Sequence, residues 1–111
     1  VKDDGDEVRS IPVSVTTPGL TTTLQQNVPN PFNPTTTIPF TLAAAAQVEL
    51  VVYDVRGSRV ATLFAGSLAE GQHEIEWSGQ DDAGTPVSSG AYFYALTVGM
   101  NTFSNKMVLL K

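Results

Sequence analysis

From Gln26 onward the chain alternates apolar and polar residues in short runs separated by turn formers, a period of two that predicts strands. Thr36 to Leu42 sets Ile38, Phe40 and Leu42 on one face against Thr37, Pro39 and Thr41 on the other. Pro39 has no N–H to give a ladder, so this strand is expected at a sheet edge. Gln47 to Asp54 gives Val48, Leu50 and Val52 to one face and Val51 and Tyr53 to the other, the pattern of a central strand. The alanines at 43–46 favour helix by propensity, but the β-branched run behind them weighs against extending one.

Asp54-Val55-Arg56-Gly57 predicts a hairpin turn, with Gly57 taking the positive φ. In the next strand, from Arg59 to Phe64, Val60 and Leu63 fall out of strict alternation, which predicts a bulge or an early end. After Gly71 the alternation is clean, with His73, Ile75 and Trp77 inward and Glu74 and Glu76 outward. Gly90 to Val98 turns Tyr92, Tyr94, Leu96 and Val98 away from Phe93 and Ala95, and Thr102 to Leu110 closes the series. These strands predict an all-β fold, an immunoglobulin-like antiparallel β-sandwich of about seven strands without the cysteine pair of antibody domains. Residues 1–25 are threonine-, proline- and glycine-rich and read as a linker or the tail of a preceding domain, with an edge strand possible at 11–17. The sandwich is assigned to residues 26–111.

Length and composition narrow the function. The 111 residues suffice for one small core, and 41% hydrophobic with 15% charged residues is a folding composition. With no cysteine there is no disulfide, thiolate metal site or cysteine nucleophile. A net charge of −5 argues against non-specific binding to nucleic acid or anionic membranes. No apolar run is long enough to cross a bilayer as a helix, and the N-terminus lacks the basic-then-apolar order of a secretory signal. Because the chain opens on Val1, it is expected to have been processed or cut from a longer protein, whose missing part would hold any activity of the parent.

Candidate chemistry is sparse. His73, the only imidazole, shares a face with Ile75 and Trp77 and reads as an inert histidine at the mouth of the core. Glu74 and Glu76 read as a solvated face, although two carboxyls about 7 Å apart have a catalytic spacing. The acidic groups at Asp3, Asp4, Asp6 and Glu7 and at Asp81 and Asp82 lack the spacing of a calcium loop; the second reads as a turn. Trp77 and Tyr92 point inward, leaving Tyr53 and Phe93 as exposed aromatics without the layout of a sugar platform. No catalytic residue, metal or cofactor is assigned.

One segment exceeds what a fold requires: Pro29-Asn30-Pro31-Phe32-Asn33-Pro34, three prolines in six residues ahead of the first clear strand. It is followed in order by Val48 to Asp54 with Gly57, Gly71-Gln72-His73 with Trp77, Ser89-Gly90-Ala91-Tyr92-Phe93-Tyr94, and finally Lys106-Met107-Val108-Leu109-Leu110-Lys111. This ordered set resembles the type A C-terminal sorting domain of the type IX secretion system, found in Bacteroidota and related bacteria. The sandwich is also similar to the immunoglobulin-like domain of the flagellar hook-capping protein, in fold rather than role. The sequence departs from the sorting-domain pattern at Ser58, Ser78 and Pro39.

The resemblance implies a non-catalytic address label that directs a preceding cargo through the periplasm and outer membrane to the cell surface or medium. Its implied partners are the outer-membrane translocon and a surface peptidase that removes it, and it is expected to be a monomer. Lys106, Met107, Val108, Leu109, Leu110 and Lys111 form the expected recognition element, a charged, donor-rich terminal edge whose Met107 and Leu109 pack inward. The alternative is a carbohydrate-binding or spacer module of a secreted glycoside hydrolase.

Overall fold

The computed structural model describes residues 21–111. It contains seven strands: β1 (Thr23–Leu24), β2 (Thr36–Leu42), β3 (Ala46–Tyr53), β4 (Arg59–Leu68), β5 (Gly71–Trp77), β6 (Gly90–Val98) and β7 (Asn101–Leu109). They form two antiparallel sheets, one ordered β1-β2-β5 and the other β4-β3-β6-β7. Among the described residues there is no helix, and the alanines at 43–46 end in the start of β3. Period-two patterning puts one face of each strand between the sheets. Ile38, Phe40 and Leu42 of β2 meet Leu50 and Val52 of β3, Tyr94 and Leu96 of β6, and Met107 and Leu109 of β7 in one core.

Two expectations change in detail. The strand holding Pro39 is the middle of its sheet, not an edge. Its missing donor is tolerated because the Pro39 carbonyl accepts the Gln25 N–H at 3.0 Å, so the proline nitrogen faces the same side, where β1 is only two residues long. In the strand after the hairpin the bulge reading holds and the early end does not. Leu50 and Val51 pair with Phe64 and Thr62, and Val52 and Tyr53 with Ala61 and Arg59, leaving Leu63 and Val60 as the two extra residues. The strand continues beyond them to Leu68.

β1 lies just ahead of the boundary expected between 25 and 26. Thr23 and Leu24 pair with Thr41 and Phe40, and the Thr22 hydroxyl accepts the Ala43 N–H at 2.9 Å. The edge strand expected at 11–17 lies outside the described residues. The hairpin turn at 54–57 forms as read, with Gly57 at φ 82° and its N–H bonded to the Asp54 carbonyl at 3.0 Å.

Candidate functional site

The segment 106–111 occupies the end of β7, the edge strand of the four-stranded sheet. Alternation buries Met107 and Leu109 completely, leaves Val108 half-buried, and exposes Lys106, Leu110 and Lys111. An edge strand should present unpaired backbone groups on its outer side. Here the proline-rich lead-in meets them. The Phe32 N–H donates to the Val108 carbonyl and the Leu110 N–H donates to the Phe32 carbonyl, both at 2.9 Å. Asn30 Oδ1 accepts the Val108 N–H at 3.0 Å, and Gln26 Nε2 donates to the Lys106 carbonyl at 2.9 Å. Beyond the strand, the Lys111 N–H reaches Ser89 Oγ at 3.0 Å. The Val108 N–H and carbonyl, the Lys106 carbonyl and the Leu110 N–H of this edge are therefore met from within the chain, and a partner adding a strand there would have to displace the lead-in.

The lead-in is held by a buried polar cluster that lets it serve this role. Asn27, almost fully buried, donates its N–H to Tyr94 Oη at 2.9 Å and its Nδ2 to Thr36 Oγ1 at 3.0 Å and the Pro29 carbonyl at 3.1 Å. Thr36 Oγ1 donates to the same Pro29 carbonyl at 2.9 Å. Tyr94 Oη donates to the Gln25 carbonyl at 2.7 Å. Burial pushes the Tyr94 phenol above its ordinary pKa, opposed by hydrogen bonds from Asn105 and Asn27. The side-chain polar atoms of Asn27, Thr36 and Tyr94 each have a partner, which is what makes the cluster affordable inside a small core.

Phe32 is the apolar anchor. Its ring lies 5.7 Å from that of Trp77, which in turn meets Tyr92 edge-on at 5.5 Å. Trp77 Nε1 donates to the Gln80 carbonyl at 2.8 Å and Tyr92 Oη to the Ser88 carbonyl at 2.6 Å, so both rings are buried with their polar ends matched. Gly79 completes the seat. At φ 75° it passes so close to Pro34 that an added Cβ would lie 3.2 Å from the Pro34 carbonyl oxygen and 3.6 Å from Leu109 Cδ2. Gly79 was missed in the sequence, where its only local signal is a Ser-Gly pair after the tryptophan.

Of the family-motif residues, Asn30 and Phe32 thus meet the terminal strand, Pro29 joins the cluster of Asn27 and Thr36, and Pro34 lies against Gly79. Pro31 and Asn33 lie exposed between them. Gly90 and Tyr92 join the same assembly, opposite Leu109 and Met107 in the ladder. Gly57 stands apart in the β3–β4 hairpin. There Asp54 Oδ1 accepts the N–H groups of Ser58 and Arg56 at 3.0 and 2.9 Å, and these bonds, Ser58 foremost, hold its carboxyl below the ordinary range.

Three of the residues weighed for catalysis or metal, His73, Asp81 and Asp82, are engaged in hydrogen bonds to backbone groups. His73 Nε2 bonds the Ala69 carbonyl at 2.7 Å and its ring stacks on Phe40 at 5.5 Å. Glu74 and Glu76 are exposed. Asp81 Oδ1 accepts the N–H groups of Ala83 and Thr85 at 2.9 Å, an Asx turn, while Asp82 Oδ1 accepts the Thr62 N–H at 2.9 Å and covers part of the β4 edge. No group of three or more histidine or carboxylate side chains able to hold a metal occurs among the described residues. The acidic cluster at 3–7 lies outside them.

Comparison with known proteins supplies the remaining constraint. The sequence profile of the FlgD Ig-like domain matches residues 27–101, stopping at the first residue of β7. No curated protein matches the sequence. FlgD from P. aeruginosa superposes with a TM-score of 0.56 at 21% identity, over 74% of this chain and 69% of that one. Dimeric latent PorU from Porphyromonas gingivalis gives 0.66 at 18% identity, over 90% of this chain and 10% of that one. PorZ, a surface component of the type IX secretion system of the same organism, gives 0.51 at 18% identity, over 78% and 11%. The chain therefore spans about a tenth of PorU or PorZ. At these identities the likeness is one of fold.

Proposed function

The chain belongs to the FlgD Ig-like domain family, and from that premise we propose that residues 26–111 are a non-catalytic sorting domain that directs a larger exported protein through the type IX secretion system. The observation that carries this reading is the meeting of two motifs about 76 residues apart, as 108 is from 32, in one edge: Phe32 and Asn30 of the proline-rich motif bind Val108 and Leu110 of the terminal segment. Such an arrangement fixes the terminal strand in register and holds Lys106 and Lys111 in solvent. The ordered motif resemblance and the fold shared with PorU and PorZ support the type IX assignment over a generic spacer. In this reading the domain follows its cargo, docks on an outer-membrane translocon component from the periplasm, and is removed by a surface peptidase after translocation.

Removing 106–111 would be a poor test, because Met107 and Leu109 leave the core with it. A gain-of-function test avoids that. A reporter carrying an export signal and followed by residues 1–111 should reach the surface or medium in a type IX-competent bacterium and remain periplasmic in a translocon-deficient strain. Equal periplasmic retention in both strains would overturn the proposal.

A further inference from the structure

Strand addition at 106–110 would have to displace the lead-in, whereas the side chains of the sheet face are open to a partner. The outer face of the four-stranded sheet offers an unusual set. Ladder pairing aligns Arg59, Tyr53, Phe93 and Lys106 across β4, β3, β6 and β7 in a single row, Arg59 opposite Tyr53, Tyr53 opposite Phe93, and Phe93 opposite Lys106. Paired residues share a face, and this face is the outer one because the neighbours Val52 and Tyr94 are fully buried inward. Arg59 Nη1 donates to Thr62 Oγ1 at 3.0 Å, and Thr62, opposite Val51, lies on that same face. Phe93 is 39% exposed, Arg59 and Lys106 are exposed, and Tyr53 is half-buried. Three strand spacings separate the two cations by about 14 Å, with two aromatic rings between them.

The charge layout gives the row its meaning. The described residues contain four Lys or Arg side chains, Arg56, Arg59, Lys106 and Lys111, and all belong to the four-stranded sheet, its hairpin or its end. The outer face of the other sheet carries Glu74 and Glu76, while the outer face of the four-stranded sheet holds Glu49, four residues from Tyr53 along β3. Among the described residues of this acidic chain, the cations thus gather around the exposed aromatics. Aromatic and arginine side chains dominate protein interfaces, and flanking charges select a partner of opposite sign.

We propose that this face, centred on Phe93 and bounded by Arg59 and Lys106, is the docking surface of the domain, and that its partner is an acidic protein surface with an apolar centre. The inference rests on the sorting function above and places the recognition on the sheet face rather than on the strand edge.

The test uses the reporter fused to the full chain, comparing wild type, R59E/K106E, R59K/K106R and F93S. Thermal melts of the purified chains check that folding is unchanged. The expected result is a drop in surface display of about tenfold or more for R59E/K106E and F93S, with R59K/K106R close to wild type. Normal display of R59E/K106E beside an exported wild type would overturn the docking face while leaving the sorting function intact; failure of the wild type itself would overturn the sorting function. A second arm passes the purified chain over immobilised dextran sulfate at physiological salt. Retention of wild type that R59E/K106E abolishes would assign the face to an acidic glycan and overturn the protein partner, whereas flow-through of both supports it.

Discussion

Phe32 lies beside Leu109 in parallel register, the one parallel pairing among the described residues of an otherwise antiparallel sandwich. A single residue of the lead-in therefore acts as a fifth strand of the larger sheet. Its backbone closes the edge while its ring fills the core beside Trp77. Backbone and side chain serve different ends of the same contact, which leads to separable outcomes.

Phe32→Ala removes the ring from a fully buried site and should cost about 3–5 kcal/mol by the usual Phe-to-Ala cavity range. Chemical denaturation measures the loss. Hydrogen exchange at Val108 and Leu110 should rise more than at Leu96 in the centre of the sheet, because the edge loosens first. Equal acceleration at all three amides would count against a local seal.

Tyr94→Phe keeps the ring and deletes the hydroxyl that bonds Asn27 and Gln25. Leaving the buried Asn27 N–H without that acceptor should cost about 1–3 kcal/mol. The wild type should also lose stability at alkaline pH. Burial raises the folded Tyr94 pKa above its ordinary 10.0, so the stabilisation is full below that value and disappears as pH climbs from there through the folded value. Melts between neutral and strongly alkaline pH should show a steeper alkaline decline in the wild type than in Tyr94→Phe.

Gly79→Ala forces a side chain into φ 75° against the Pro34 carbonyl and should destabilise by about 1–3 kcal/mol. Gly84→Ala is the matched control. It shares a positive φ, 83°, but an added Cβ there meets nothing within 4 Å. A larger loss at 79 than at 84 isolates the close approach from the backbone term; equal losses would remove the case for it.

At the hairpin, the Asp54 side chain is half-buried at 20% exposure, and its effect is read locally. Its carboxylate accepts the Ser58 and Arg56 N–H groups, and its folded pKa lies below the ordinary 3.8. The support it lends the turn is present above that value and is lost as pH falls through the depressed folded pKa. The Ser58 amide shift, followed by NMR down an acid titration, should move with this step in the wild type and stay flat in Asp54→Asn.

The strands and the face each presents were legible because alternation reports burial directly, and the clean run from His73 to Trp77 is the plainest case. Val60 and Leu63 announced the bulges by breaking the same period. Alternation is silent on which edge meets which segment. Nothing local to Asn30 or Val108 reveals a bond across 78 residues, so the terminal edge reads as open when it is closed. Pro39 misled for a related reason: its missing donor demands an unpaired side, and a neighbour only two residues long supplies that within the sheet. Tyr94 reads as apolar filling until the register places Gln25 and Asn27 at its hydroxyl. The row from Arg59 to Lys106 is likewise invisible in the sequence, because it is written across four strands rather than along one.

The pairing of the lead-in with the terminal strand also sets an order in time. During synthesis Asn30 and Phe32 emerge long before Val108 and Leu110, and contacts of such separation form late. Until then Phe32 has no companion strand and the chain lacks Met107 and Leu109 from its core. Closure of this joint thus reports that residues up to 110 have been made, so a chain stopping short of them would be distinguishable, by shape alone, from one that includes them.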